Sequence, residues 1–280
     1  MILTSHETVK PSPFSENDSL SPDLAPRITT ADRVLRNGIT PNHSCIKKIL
    51  GKWHYGVMHG IITPTPRSLM IYLHQLARQV ILANRHVLFI DSLNAFNPEW
   101  ILSPAQLSNI EKKYDWFPQG LFYSRPFQYH QFHKILTEQV PDFLIRHRKT
   151  RLVLVGDPLR MFLDPKEHQH DNAYPQAQIH KLIQALRVLR QASFHYQVAT
   201  IVVLDQKYAI LASKEKHKNG SLKKKIPLES LFSVLLEWNH EKRGTFVKVL
   251  KHFDPISTQK CIEGQLTHDP LQTRLEHYYE

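Results

Sequence analysis

Four short apolar runs punctuate the chain, at residues 87–90, 120–124, 152–155 and 200–204. Between them the apolar positions recur every three or four residues. Leu69, Leu73, Leu76, Ala77 and Val80 share one face of residues 68–84, which predicts a helix. Ile179, Leu182, Ile183, Leu186 and Leu189 do the same for a long helix opening at Pro175. Residues 128–146 read as a helix too. So do residues 104–114, with a proline at the start and Ser103 as the cap. Continuous apolar strands of this length are what a parallel sheet buried on both faces demands. Their alternation with helices predicts an α/β fold with a mainly parallel central sheet flanked by helices. Further on the pattern changes. Residues 228–238 and 245–252 read as a strand hairpin turning at Glu241 to Gly244, which puts an antiparallel edge on the C-terminal side of the sheet.

Outside these elements the sequence sets boundaries. Pro11, Pro13, Pro22 and Pro26 stand among serines and acids, so residues 1–28 read as a disordered tail. Residues 29–256 form the core domain, with 28–35 as a short entry helix, and 257–280 are a C-terminal tail or short helix. Residues 158–174 read as a polar loop. With 280 residues, 41% of them hydrophobic, the chain can bury one sizeable core. Two cysteines, Cys45 and Cys261, with no CxxC give neither a disulfide framework nor a cysteine zinc site. A reducing compartment is the default. No apolar run approaches the roughly 20 residues of a membrane span, and the N-terminus lacks the order of a secretory signal. The expectation is a cytoplasmic, nucleoid-associated protein, or a nuclear one in a eukaryote. The net charge of +11 points to a polyanionic partner, nucleic acid before membrane.

Candidate chemistry enters at the strand ends. The runs at 87–90 and 152–155 are followed by Asp91 and, after Gly156, by Asp157. A buried parallel strand delivers a carboxylate in this way to the sheet edge where nucleotide and metal sit. Val87 to Ile101 carries that Asp with a Phe and a Pro-Glu-X-Ile behind it. Phe122 to Gln131 carries an Arg-aromatic turn and a Gln, Val203 to Gln206 ends in a glutamine, and Gly244 to Pro255 carries a late strand with a basic turn. In order and spacing this series resembles the RecA-like core of the archaeal RadA and eukaryotic strand-exchange recombinases. The resemblance implies that Asp157 stands where the family helps hold magnesium. It also puts Gln206 at the switch glutamine that senses the γ-phosphate.

The departures from that pattern bear on function. A working P-loop needs G-x-x-x-x-G-K-[ST], whose glycines let backbone N–H groups wrap the phosphates. In its place the chain has His59-Gly60-Ile-Ile-Thr63-Pro64-Thr65-Pro66-Arg67-Ser68. Arg67 and Ser68 occupy the Lys-[ST] positions, and the prolines remove N–H donors. Leu93 stands where the family has the glutamate that activates water, and leucine cannot deprotonate anything. Arg67, Ser68, Asp91, Asp157 and Gln206 are therefore read as remnants of a nucleotide site in a pseudo-ATPase. No cofactor is expected; ATP with magnesium is the alternative.

Residues 207–225 hold seven lysines with Glu215 as the one acid, where the resembled family places a mobile DNA-holding loop. Lys214, Lys216, Lys218, Lys223, Lys224 and Lys225 are the expected phosphate contacts. Tyr208 is the single aromatic for base stacking there. Arg146 to Arg151 is a second basic cluster, read as a helix end meeting its dipole. Glu167, His168, His170 and Asp171 form the densest acid/His group, but no further ligand is fixed by spacing. The helical pair His130 and His133 is too common to count as a metal site. The expected partners are single- or double-stranded DNA and an active recombinase or another paralogue, with no membrane. Two rivals stand beside this reading: an ATPase with an unconventional P-loop, and a structural partner that never touches DNA.

Overall fold

The apolar runs become neighbours in one sheet because each has side chains to bury on both faces. The computed structural model describes residues 37–97, 100–101, 119–163, 176–213, 228–241 and 244–252. Expectations for residues 1–28, 28–35, 104–114 and 257–280 lie outside these. β1 (Gly38–Ile39) and β2 (Trp53–His54) pair antiparallel around α1 (Ser44–Leu50). β3 (Met58–Thr63), α2 (Pro66–Leu82), β4 (His86–Ile90) and β5 (Leu121–Ser124) follow. A helical stretch then runs through α3 (Tyr129–Lys134), a π-helical turn (Ile135–Gln139) and α4 (Val140–Arg146) into β6 (Thr150–Val155). Next come α5 (Pro158–Leu163), α6 (Gln176–Tyr196), β7 (Ala199–Asp205) and α7 (Gln206–Ser213). The series closes with α8 (Leu228–Leu231), β8 (Val234–Glu241) and β9 (Gly244–Lys251).

The strands lie in the order β5-β4-β6-β7-β3-β8-β9. Every adjacent pair is parallel except β8 with β9. The mainly parallel sheet with an antiparallel C-terminal edge is thus present. Alternate residues serve opposite faces, as the strand period of two requires. Val87, Phe89, Leu152, Leu154, Ile201 and Val203 pack under α1 and α2. Leu88, Ile90, Val153, Val155, Val202 and Leu204 pack under the helices of the other face, α6 foremost.

Three local expectations need correction. Residues 228–238 are not one strand: Leu228–Leu231 is a helical turn, and β8 starts only at Val234. Buried Phe232 sits at the bend beside Gly60, where an added Cβ would come within 2.9 Å of the Phe232 ring. The start of the 158–174 segment is not a polar loop but α5. Leu159, Met161 and Phe162 are buried there, and Asp157 Oδ1 accepts from the Leu159 N–H (3.1 Å). The residues just after Gln206 form α7, which buries Tyr208.

The π-helical turn has a cause in sequence. Pro141 has no N–H to give to the carbonyl four residues back, and its ring crowds that carbonyl. Widening the preceding turn to π geometry accommodates both problems without breaking the helix.

Candidate functional site

In an open α/β sheet, ligands bind outside the carboxyl ends of strands where successive connections leave for opposite faces. That point lies between β3 and β7. β3 leads into α2 on one face, while β7 leads into α7 on the other. The register sets Thr63 opposite Asp205 at the two strand ends. β6 brings Asp157 alongside, and β8 brings Glu237 opposite Ile62. This crevice is the candidate site.

Its floor is the β3–α2 connection. The strand ends at Thr63 and the helix begins at Pro66, so two residues join them. Pro64 has no N–H. The Thr65 N–H donates to Thr63 Oγ1 (3.2 Å), and Pro66, the first helical residue, again has none. Gly60, two turns of pleat earlier, is not loop at all. It sits inside β3, paired with Val202 and packed against Leu235 and Phe232. A phosphate cradle needs several converging backbone N–H groups, and between β3 and α2 the two prolines supply none while that of Thr65 is taken by Thr63, leaving the Arg67 and Ser68 N–H groups of the first turn of α2. Arg67 and Ser68 are exposed on the first turn of α2, at the lip of the crevice.

Asp157 is fully buried. Oδ1 takes the Leu159 N–H, and Oδ2 has no hydrogen-bond partner among the described residues. Burial, reinforced by the charge of Asp205, pushes its carboxyl up to about 7; nearby backbone N–H groups of Asp205, Arg160 and Leu159 pull the other way. Asp205 is half-buried and caps α7 by accepting from the Lys207 N–H (2.8 Å). Gln206 turns its amide to Glu237 Oε1 (3.4 Å) on β8.

Asp91 belongs to a different arrangement. Its Oδ1 accepts from the Leu93 N–H (3.0 Å), and Oδ2 from the Ala95 and Phe96 N–H groups (2.9 Å each). The Tyr123 hydroxyl donates to Oδ2 as well (3.3 Å). Burial and the Asp91 charge push that phenol up to about 12. The loop after β4 is wound around this carboxylate, so Asp91 organises backbone and offers no free oxygen edge to a ligand. Leu93 is buried in the core rather than facing the crevice. His74 closes the arrangement from α2, accepting the Asn97 N–H at Nε2 (3.0 Å) while Nδ1 faces the Met70 carbonyl. Burial holds this imidazole down to about 4, so it stays neutral.

Of the expected residues, then, Asp157 and Gln206 share one crevice with Arg67 and Ser68 at its edge, and Asp91 is committed elsewhere. Asp205 went unread in the sequence, although it too ends an apolar run. His74, Tyr123 and Asn97 carried no local signal, since the bonds that bring them together around the loop after β4 join residues 23 or more apart in sequence. Lys214, Lys216, Lys218, Lys223, Lys224 and Lys225 lie outside the described residues, as do Glu167, His168, His170 and Asp171. Tyr208, buried on α7, is unavailable for base stacking. Among the described residues no group of three or more His, Cys, Asp or Glu is placed to hold a metal ion, and no helix is long and apolar enough to cross a membrane. No protein-family model matches the chain, and no curated protein matches it.

Proposed function

We propose that this chain is a catalytically silent paralogue of the RecA/RadA-type recombinases. In this reading it binds DNA and docks on an active recombinase or another paralogue as an accessory factor in recombination or repair. It works in the cytoplasm on the nucleoid, or in the nucleus of a eukaryote. The observation that carries the reading is the β3–α2 connection. It has the strand–turn–helix setting and the switch-point position of a phosphate loop, yet its N–H groups are removed by proline or used by Thr63. The arrangement around Asp91 and Leu93 supports the loss of hydrolysis, because the position of a general base is filled by a core leucine. Phosphoryl transfer is mostly positioning and charge stabilisation, and neither has a scaffold here.

The experiment is steady-state ATP hydrolysis by the purified chain with and without DNA, alongside thermal melting with ATP and magnesium. The expected result is turnover at background and no nucleotide-dependent rise in Tm. DNA-stimulated turnover that Asp157→Ala abolishes would overturn the proposal in favour of an ATPase with an unconventional loop.

A further inference from the structure

Parallel topology sends every βα crossover back to the amino ends of the strands, and two of the described turns there carry cations. They contribute Arg85 before β4 and Arg148 and Lys149 before β6, and Arg151 follows as the second residue of β6. The turns 55–57, 83–85, 119–120, 147–149, 197–198 and 232–233 contain no Asp or Glu. Nor does α6 over all 21 of its residues, and it adds exposed Arg187 and Arg190. The described acids of the sheet, Asp91, Asp157, Asp205, Glu237 and Glu241, lie at or near the opposite ends of the strands.

Separate contacts link these cations along the edge. His86 N–H donates to the Lys149 carbonyl (3.1 Å), which joins the β4 turn to the β6 turn. The Arg151 guanidinium lies 6.0 Å from the centre of the Tyr55 ring. Tyr55 is followed by Gly56, and Gly56 lines an open cavity of about 350 Å³ with Arg187, Arg190, Gln191, Phe194 and Ser233. From β4 across to β8 is four strand spacings, about 19 Å at ~4.8 Å each. That is room for several successive phosphates.

Helix dipoles do not account for this charge. Of the helices that end here, only α4 has a Lys or Arg in its last turn, Arg146; α2 has no basic residue there, and α6 has only His195. The hydrogen bonds of Arg151 and Arg190 go to main-chain carbonyls of Arg148, Thr150 and Ser230, which leave the charge in place. Burial, then His147 and Lys149, lowers the proton affinity of His86, and burial, then Arg146, lowers that of His147. Among the cations an aromatic side chain stands out. Phe194 is 55% exposed at the cavity mouth. Arginine forks suit phosphate oxygens, and an exposed ring offers a base its π-face.

We infer that the amino edge of the sheet is a single-stranded nucleic-acid interface, with Arg85, Arg148, Lys149, Arg151, Arg187 and Arg190 on the phosphates and one base lodged against Phe194 in the cavity. This rests on nucleic acid being the partner, as in the reading above, and places a contact at the end of the sheet remote from the crevice. Anionic membrane is the competing polyanion. The stacking ring and the nucleotide-sized cavity favour nucleic acid over a lipid surface.

The test is anisotropy of a labelled oligo-dT with the full chain over a salt series. Three variants are compared: R85Q/R148Q/K149Q/R187Q/R190Q, the six-lysine loop variant (Lys214, Lys216, Lys218, Lys223, Lys224 and Lys225 to Gln) and Phe194→Ala. In the first, the log–log salt slope should shrink by about 0.7 for each cation that had held a phosphate. Phe194→Ala should weaken binding about tenfold with the slope unchanged. Photo-crosslinking of wild type to oligo-dT needs no variant to fold and should label Tyr55 or Phe194. Crosslinks confined to residues 207–225, or wild-type binding by the folded five-fold variant, overturn the amino-edge interface. DNA binding as such survives that result if the loop variant loses it. Absence of any DNA binding by wild type at low salt overturns both, and co-sedimentation with phosphatidylserine vesicles in that case assigns the surface to membrane.

Discussion

Leu93 and Asp157 show how one side chain's surroundings decide what a substitution does. Leu93 occupies the core, so Leu93→Glu does not hang a base over the crevice; it forces a carboxylate into apolar packing. The expected cost is roughly 3–5 kcal/mol, with no ATP turnover gained. Urea unfolding of the purified variant measures the first and a hydrolysis assay the second. Asp157 gives a signature in pH. Its carboxyl has a folded value of about 7 against 3.8 as the reference. Between those values the folded state holds more proton than the unfolded, so this group's contribution to stability falls as pH rises from about 4 to 7, by up to about 1.4 kcal/mol per pH unit. His59 and His74, held down by burial to about 3 and about 4, act in the opposite sense: stability is lost as pH falls below 6.5. Asp157→Asn removes one of two opposed slopes. Relative to wild type it should gain stability steadily from pH 4 to 7 and lose it more steeply on acidification, whatever constant offset the amide brings. Chemical denaturation at several pH values reads this directly, and parallel curves for the two proteins would refute it.

Among elements, the tie between α2 and the loop after β4 is the most specific piece of design. It consists of one neutral imidazole and one carboxylate that together absorb the N–H groups of Leu93, Ala95, Phe96 and Asn97. His74→Phe keeps a ring among Phe89, Phe96 and Trp100 but leaves the Asn97 N–H without its acceptor. A loss of about 1–3 kcal/mol is expected, together with faster hydrogen exchange at Asn97. Exchange rates identical to wild type would mean the hydrogen bond carries no weight. The strands and long helices were legible because period two and period 3.6 are written directly into β4, β6, β7, α2 and α6. What stayed hidden was set by distant contacts. The Leu228–Leu231 turn exists because Phe232 must tuck against Gly60 of a strand some 170 residues earlier. At the crevice, proximity of Asp157 to Gln206 followed from two runs ending in polar residues. The fate of Asp91 could not be read that way, since it depends on Tyr123 and on a local backbone path with Asn94 at φ +54°.

At the scale of the sheet, the described carboxylates Asp91, Asp157, Asp205, Glu237 and Glu241 lie at or near the carboxyl ends of the strands, while Arg85, Arg148, Lys149 and Arg151 stand at their amino ends. The sheet also depends on its last pieces. β3 is central, held by β7 on one side and β8 on the other. A chain ended at residue 227 would lack β8 and β9. It would turn buried β3 into an edge and uncover the apolar surface that Val234 and Leu236 now seal. Such a truncation should be insoluble or lack a cooperative melting transition; a soluble, cooperatively melting product would show that β8 is dispensable. The same arrangement has a consequence in time. β3 leaves the ribosome well before either of its neighbours, and its partner β7 arrives about 140 residues later, so none of its ladder hydrogen bonds can form early. Refolding should accordingly be slow for a domain of this size, milliseconds to seconds or longer. During synthesis the nascent chain must carry an unpaired Met58–Thr63 segment, which makes it a client for whatever holds strands apart until translation ends.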